Sequence, residues 1–263
     1  MKVRMYNVGF GDCFCLRDRK KSLLVDFGTN NSRIEGRPRR EIFDVIISDL
    51  STIKSKNLLL THFHMDHLSG LLYMMKKKDI SVDFGKIYLP DVFSKKEMSR
   101  TLVLLLLADL LKESGLPSRQ VSLFALVDAL LENKQNVELL SRGKLFENKY
   151  QALWPDTDVI WKETDEVYNR ICEDGKFKEV MDVLLEFAEK LRLIVWSMTA
   201  EGNKPAETVE KETDLTASEL TEQPEVRQKI IRAYVYEREF RRIKALPDFK
   251  KLLAWLNENQ INL

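Results

Sequence analysis

Three histidines and an aspartate that lie within six positions of one another have the clearest chemical potential in this chain. His62, His64, Asp66 and His67 occur in the run Thr-His-Phe-His-Met-Asp-His. They include all three histidines of the 263 residues. Imidazole and carboxylate are ligands that suit zinc, and manganese or iron where the site is rich in oxygen. The run is therefore a candidate metal site.

The spacing of these four residues indicates where they point. A short apolar run before them predicts an interior strand that ends at Thr61, and the apolar residues after them predict a helix. Residues two apart on an extended chain project to the same side, about 6.6 Å apart, so a small bend lets His62 and His64 converge on one cation. Asp66 and His67 fall on the turn into the helix and can face a second cation. We expect the four side chains to cluster in a concave polar patch at the carboxyl end of the strand, where α/β sheets bind ligands.

The elements around this patch indicate an α/β unit. Residues 2–27 alternate in the manner of a three-stranded β-meander, and a polar, arginine-rich loop at 29–40 leads into a predicted helix at 38–53. Further strands are predicted at 57–61 and 86–90. Strands that alternate with helices are typical of a layered α/β fold.

The remaining chain reads mainly as helix. Two helices are predicted between 94 and 134, and short β-like passages at 137–140 and 150–154. We divide the chain into an α/β unit with a helical insertion at 1–155, a helical segment at 156–198, an acidic linker at 199–225 and a basic amphipathic helical segment at 226–263. The linker is expected to be mobile, because a glutamate-rich stretch without aromatic residues buries too little apolar surface to order itself.

Composition excludes some classes of protein. The most apolar run, Leu102–Ala108, is far shorter than the roughly 20 residues that cross a bilayer, so no membrane span is expected. Three cysteines without metal-finger spacing argue against a disulfide framework and favour a reducing cytoplasm. The net charge of +1 neither favours nor excludes a nucleic-acid partner.

Three motifs resemble those of the metallo-β-lactamase-fold hydrolases. They are the run Thr61–Gly70, the glycine-flanked turn Val8–Cys13 and the strand end Leu24–Gly28. The branch with the hydrolase domain of the bacterial competence DNA-uptake channel is the most similar. The resemblance covers about residues 1–90 and, more loosely, the chain up to Pro155. It implies the N-terminal half of an αββα sandwich, here followed by a mostly helical C-terminal segment.

The resemblance also implies roles for individual residues. His62 and His64 would bind a first metal ion, and Asp66 and His67 a second, with two zinc (or manganese or iron) ions in the complete protein. Asp66 would also accept a proton during turnover. Asp26 would steady the metal loop without touching metal, although a simple turn aspartate at a strand end is an equal alternative. In such a site a metal-activated hydroxide attacks a phosphodiester or carbonyl centre, and this branch favours nucleic-acid substrates. No substrate-binding residue is identified.

The chain departs from the family in one respect that bears on function. The family completes its metal site with further histidines and a bridging aspartate on later strands, whereas this chain has no histidine after His67. Either the chain is the front part of a longer protein whose C-terminal half is missing, or it is a degenerate relative. The first alternative predicts an incomplete hydrolase. The second predicts a non-catalytic binding or regulatory protein that keeps a vestigial metal loop and uses its helical half for protein partners.

Two basic regions have two interpretations each. Arg33, Arg37, Arg39 and Arg40 either border the metal cleft and receive an anionic substrate or form a solvated loop. The run 227–251, with interleaved aromatic residues, either binds a phosphate backbone or forms amphipathic helices.

Overall fold

The computed structural model describes residues 1–18, 21–77, 83–113, 123–133, 135–173, 175–199, 242–243 and 245–259. The chain forms two compact units that are interleaved in the sequence: residues 1–90 with 120–140, and residues 91–119 with 141–263. The linear division expected from the sequence, with boundaries at 155, 198 and 225, stays a prediction.

The first unit is built on a six-stranded sheet. Its strands, in chain order, are β1 (Lys2–Met5), β2 (Phe14–Asp18), β3 (Lys21–Val25), β6 (Ser55–Leu59), β7 (Ile87–Pro90) and β8 (Val137–Leu140). They lie in the order β1-β2-β3-β6-β7-β8, with antiparallel pairing from β1 to β3 and parallel pairing from β3 to β8. A short hairpin of β4 (Arg33–Ile34) and β5 (Arg37–Pro38) stands apart from the sheet. The predicted meander and the mixed α/β class are confirmed.

One face of this sheet forms the core of the unit. The register aligns Cys15, Leu24, Leu58 and Ile87 across four strands, and all four side chains are completely buried. Helices α1 (Arg39–Ser51), α2 (Met65–Met75) and α4 (Leu123–Glu132) belong to the same unit. Helix α1 turns an apolar stripe inward, which consists of Ile42, Phe43, Ile46, Ile47 and Leu50. Burial at this helical spacing, more than intrinsic propensity, stabilises such a helix.

The second unit is mostly helical. It contains α3 (Ser99–Glu113), α5 (Thr157–Cys172), α6 (Lys178–Ser197) and α7 (Phe249–Glu258), with a hairpin of β9 (Leu145–Phe146) and β10 (Tyr150–Gln151). Helix α3 packs against α5 and α6. The predicted helices at 156–198 are confirmed, and the described residues after 156 contain no strand. The strand expected at 150–154 is only two residues long and pairs with β9.

Two expectations reach beyond the described residues. The acidic linker lies outside them except for Thr199, and of the basic segment only 242–243 and 245–259 are described. None of the described helices is long and apolar enough to cross a bilayer.

Candidate metal centre

The histidine run lies where the central strand β6 passes into helix α2. Helix α2 begins at Met65, with His64 as the residue before its first turn. The helix predicted to follow His67 begins three residues earlier than expected. Asp66 and His67 are therefore helical, and a carboxylate in the first turn interacts favourably with the positive end of the helix dipole.

Backbone hydrogen bonds hold two loops against the start of α2. The amide of Asp12 donates to the carbonyl of Asp66 (3.2 Å), and the amide of Phe27 donates to the carbonyl of His67 (2.7 Å). The amide of Gly70 in turn donates to the carbonyl of Phe27 (2.8 Å). The loop after β1 and the loop after β3 are thereby fixed beside the histidine run.

Two glycines permit this close approach. A Cβ atom on Gly11 would lie 2.4 Å from the carbonyl oxygen of Gly28 and 2.7 Å from that of Asp66. A Cβ atom on Gly28 would lie 2.6 Å from the carbonyl carbon of Asp66. Only residues without a side chain fit at these two positions, which explains the glycines in both motifs.

The side chains of the histidine run form one cluster. The ring centroids of His62 and His64 lie 4.7 Å apart, and those of His62 and His67 lie 3.7 Å apart. His62, Asp66 and His67 each offer one ligand atom, and these three atoms all lie within 4.8 Å of one another. The expected clustering is confirmed. The set of three combines residues from both ion sites that the resemblance implies, and His64 lies beside it through its contact with His62.

Asp26 holds the cluster in place through hydrogen bonds to Thr61 and His67. Its side chain is 2% exposed and accepts hydrogen bonds from the amide of Thr61 (2.8 Å) and from the Thr61 hydroxyl (2.7 Å). Its Oδ2 also lies 2.9 Å from Nδ1 of His67. With its proton on Nδ1, His67 turns Nε2 toward Asp66, whose Oδ2 lies 3.7 Å away. The role implied for Asp26, to orient a ligand imidazole without being a ligand, fits these contacts.

Asp12 also belongs to the site, although the sequence did not predict this. Its Oδ2 lies 3.6 Å from Nδ1 of His67, and ligand atoms of Asp12, Asp26 and His67 form a second group within 4.8 Å. The sequence predicts no role in metal binding for this aspartate. The sequence feature that indicates this role is the position of Asp12 directly after Gly11. A glycine lets the loop approach α2 closely, and the next side chain is thereby brought to the site.

The cluster shifts the pKa values of two histidines in opposite directions. Burial lowers the pKa of His62, and the neighbouring His67 and His64 lower it further. For His67, burial alone would lower the pKa, but the hydrogen bond to Asp26 and the charges of Asp26, Asp66 and Asp12 outweigh burial and raise it. The lowered pKa of His62 favours the neutral imidazole that binds metal, whereas the raised pKa of His67 makes a cation compete with a proton at that ring.

The donor set fits a transition metal ion. Two bonds of about 2.2 Å at one zinc ion span at most about 4.4 Å, which is close to the spacing of the ligand atoms of His62, Asp66 and His67. Imidazole and carboxylate together match zinc, manganese or iron. Asp12 offers a further carboxylate oxygen beside His67.

Comparison with known proteins gives the family of this segment. Residues 6–91 match the family model described as the metallo-beta-lactamase superfamily. Residues 6–91 belong to that superfamily. The superfamily segment thus includes the loop with Asp12, the strand end with Asp26 and the whole histidine run.

One curated relative is the Endoribonuclease YSH1 of Mycosarcoma maydis. It is 32% identical over 77 residues, which is 29% of this chain and 8% of the relative. The chain therefore matches only a small part of the length of that relative. No solved structure gives a significant match.

Proposed function

We propose that this chain is a metal-dependent hydrolase that cleaves phosphodiester bonds, with nucleic acid as the substrate. The observation that carries the proposal is the convergence of His62, Asp66 and His67 within 4.8 Å, in a segment that matches a superfamily of metal-dependent hydrolases. The similarity to an endoribonuclease favours nucleic acid over other phosphodiesters.

Each residue of the site has a distinct role in the proposed reaction. His62, Asp66 and His67 would hold the cation, with His64 beside them, and the contact of Asp26 with Nδ1 of His67 would favour the tautomer that leaves Nε2 available. When bound, a cation in such a site lowers the pKa of a water molecule and neutralises charge that develops on the attacked group. Asp66 is partly exposed and can therefore accept a proton from solvent-accessible groups.

Hydrolysis of a fluorescent oligonucleotide, measured together with bound metal, tests this proposal. We expect the chain to retain zinc or manganese through dialysis and to cleave the oligonucleotide slowly, because one loop supplies most of the ligands and leaves coordination positions open. Asp66→Asn should abolish cleavage. Asp44→Asn is the matched control, since Asp44 lies on α1 and pairs with Lys77. Cleavage that persists in EDTA or in the Asp66→Asn protein would contradict the proposal.

A second candidate is a non-catalytic binding or regulatory protein that retains the metal loop. The observation that favours it is the absence of any histidine beyond His67 in the 263 residues. The two candidates differ in metal stoichiometry. Two bound ions with cleavage support the hydrolase, whereas at most one ion without cleavage supports the binding protein.

A further inference from the structure

The loop after β1 carries an exposed aromatic ring, and the segment that leads into α1 carries exposed arginines without an ion-pair partner among the described residues. Phe10 is 72% exposed, although it is fully apolar. Arg37 lies on β5, and Arg39 and Arg40 begin helix α1; all three are exposed. Within the described part of the chain no acidic side chain forms an ion pair with any of these three arginines. We call Phe10, Arg37, Arg39 and Arg40 the basic rim.

Hydrogen bonds join the loop of Phe10 to the segment 30–35, which leads into the three arginines. The side-chain amide of Asn7 donates to the carboxylate of Glu35 at the tip of the hairpin (2.8 Å). The amide of Phe10 donates to the side-chain oxygen of Asn31 (2.6 Å), and the amide of Asn30 donates to the carbonyl of Phe10 (2.9 Å). The backbone of Phe10 is therefore fixed while its ring stays in solvent.

The Phe10 end of the basic rim lies close to the metal centre. Asp12 follows Phe10 by two residues, a stretch that spans at most about 7 Å. Its carboxylate lies 3.6 Å from Nδ1 of His67, and Gly11 between them lies against the backbone of Asp66. A nucleotide held at Phe10 would therefore lie next to the cluster.

The carboxylates of the site make positive charge nearby favourable for binding a phosphate backbone. Asp12, Asp26 and Asp66 place three carboxylates around His67, and without a bound cation these repel a phosphate group. Arginines attract a nucleic-acid backbone over longer range, and an exposed aromatic ring offers a face on which any base can stack. Duplex DNA keeps its bases paired and stacked inside, so a ring on the surface selects unpaired bases.

We propose that the basic rim binds single-stranded nucleic acid, with a base stacked on Phe10 and the phosphate backbone on Arg37, Arg39 and Arg40. This deepens the proposed function and rests on it only for the reaction. Binding itself needs neither metal nor turnover, and it can therefore be measured separately.

Fluorescence anisotropy with a 12-nucleotide single strand, in EDTA so that no cleavage occurs, is the direct test. Single-stranded DNA, single-stranded RNA and a blunt DNA duplex of the same sequence are compared. We expect Phe10→Ala to weaken binding of the single strands by at least about fivefold, because base stacking on an aromatic ring is lost. Phe10→Tyr keeps a ring and should restore binding. Circular dichroism confirms that the variants fold, which an exposed side chain permits.

The arginines are tested through the salt dependence of binding. Arg39→Ala combined with Arg40→Ala should reduce the slope of log Kd against log salt concentration by about 1.4, at about 0.7 for each lost phosphate contact. Lys176→Ala combined with Lys178→Ala is the matched control, because both lysines are exposed and belong to the second unit. This control should leave the slope unchanged.

The outcomes separate this inference from the proposed function. Loss of binding in the rim variants supports the inference even if the chain cleaves nothing. Equal binding of duplex and single strands, an unchanged Phe10→Ala protein, equal effects of the arginine and lysine pairs, or no binding by the wild type would each overturn it. Cleavage in the presence of metal by a protein whose rim variants bind normally would leave the hydrolase proposal standing and the basic rim without a role.

Discussion

Replacement of Asp26 by asparagine should separate the orientation of His67 from the stability of the fold. Asp26 has a φ of 55°, a left-handed conformation that asparagine adopts more readily than most residues. Asparagine keeps one acceptor for the amide of Thr61 and presents an NH₂ group where the second carboxylate oxygen was. Hydrogen bonds to the Thr61 hydroxyl and to His67 can form again with reversed polarity. We therefore expect a loss of about 1–2 kcal/mol in the free energy of unfolding of the metal-free protein, near the value of one hydrogen bond.

We expect Asp26→Asn to weaken metal binding more than it lowers the free energy of unfolding. An NH₂ group beside Nδ1 of His67 favours the tautomer that carries its proton on Nε2, the atom that lies toward Asp66. That nitrogen is then no longer a ligand. Loss of such an orienting partner costs about 10–100-fold in metal affinity, and we expect a weakening of this size in the Asp26→Asn protein.

Two measurements check this reasoning. Competition with a chromogenic chelator gives the zinc affinity, and long-range ¹H–¹⁵N correlation spectra of the histidines give the tautomer of His67. Asp44→Asn is the control for the same chemical change on the exposed side of α1. Zinc affinity of the Asp26→Asn protein within twofold of wild type, or an unchanged tautomer, would refute the argument that Asp26 orients His67.

Three further perturbations test the fold and the metal centre. Zinc at 100 times its dissociation constant should raise the free energy of unfolding by about 2.7 kcal/mol; thermal melts should show this stabilisation, its reversal by EDTA, and its absence in His62→Ala. Gly70→Ala should destabilise the fold by about 1–3 kcal/mol in urea titrations despite its better helix propensity, because the new Cβ would lie 2.5 Å from the ring of Phe27; a stabilised variant would contradict this contact. Burial opposes ionisation of Asp49, but hydrogen bonds from Tyr6 and Arg4 and the charges of two arginines lower its pKa. The contribution of Asp49 to stability is therefore present above the pKa that this carboxyl has in the unfolded chain. It is lost as the pH falls through the lower pKa of the folded protein. Asp49→Asn should therefore cost about 1 kcal/mol at pH 7, with a difference from wild type that shrinks below pH 4; a constant difference down to pH 2 would show that the charge of Asp49 is not responsible.

Local patterns predicted the elements that carry the histidine run. Alternation identified the meander, and the apolar run before Thr61 identified the central strand, because both signals lie within a few neighbouring residues. Helix α2 was placed three residues too late, since its first turn consists of the polar Asp66 and His67, which contribute to the metal centre more than to the core. The clustering of His62, His64 and His67 followed from their spacing alone.

Features that depend on contacts distant in sequence were not predictable. Asp12 reaches the metal centre because Gly11 packs on Gly28 and on the backbone of Asp66, a contact that no local pattern contains. The interleaving of the two units has the same cause. Strand β8 coincides with the β-like passage predicted at 137–140, but its position beside β7 in the sheet follows only from their pairing.

The pairing of β7 with β8 means that the boundary of sequence similarity is not a boundary of autonomous folding. The superfamily segment ends at residue 91, yet Ile87 and Leu89 on β7 are opposed by Val137 and Leu139 on β8. A fragment that stops at residue 91 would lose this last strand together with α4, and it would leave a buried strand with bare amides and carbonyls at the edge of its sheet. Such an edge recruits other chains. A soluble minimal hydrolase fragment would therefore have to extend through Leu140. It would also have to contain all the residues between 91 and 140.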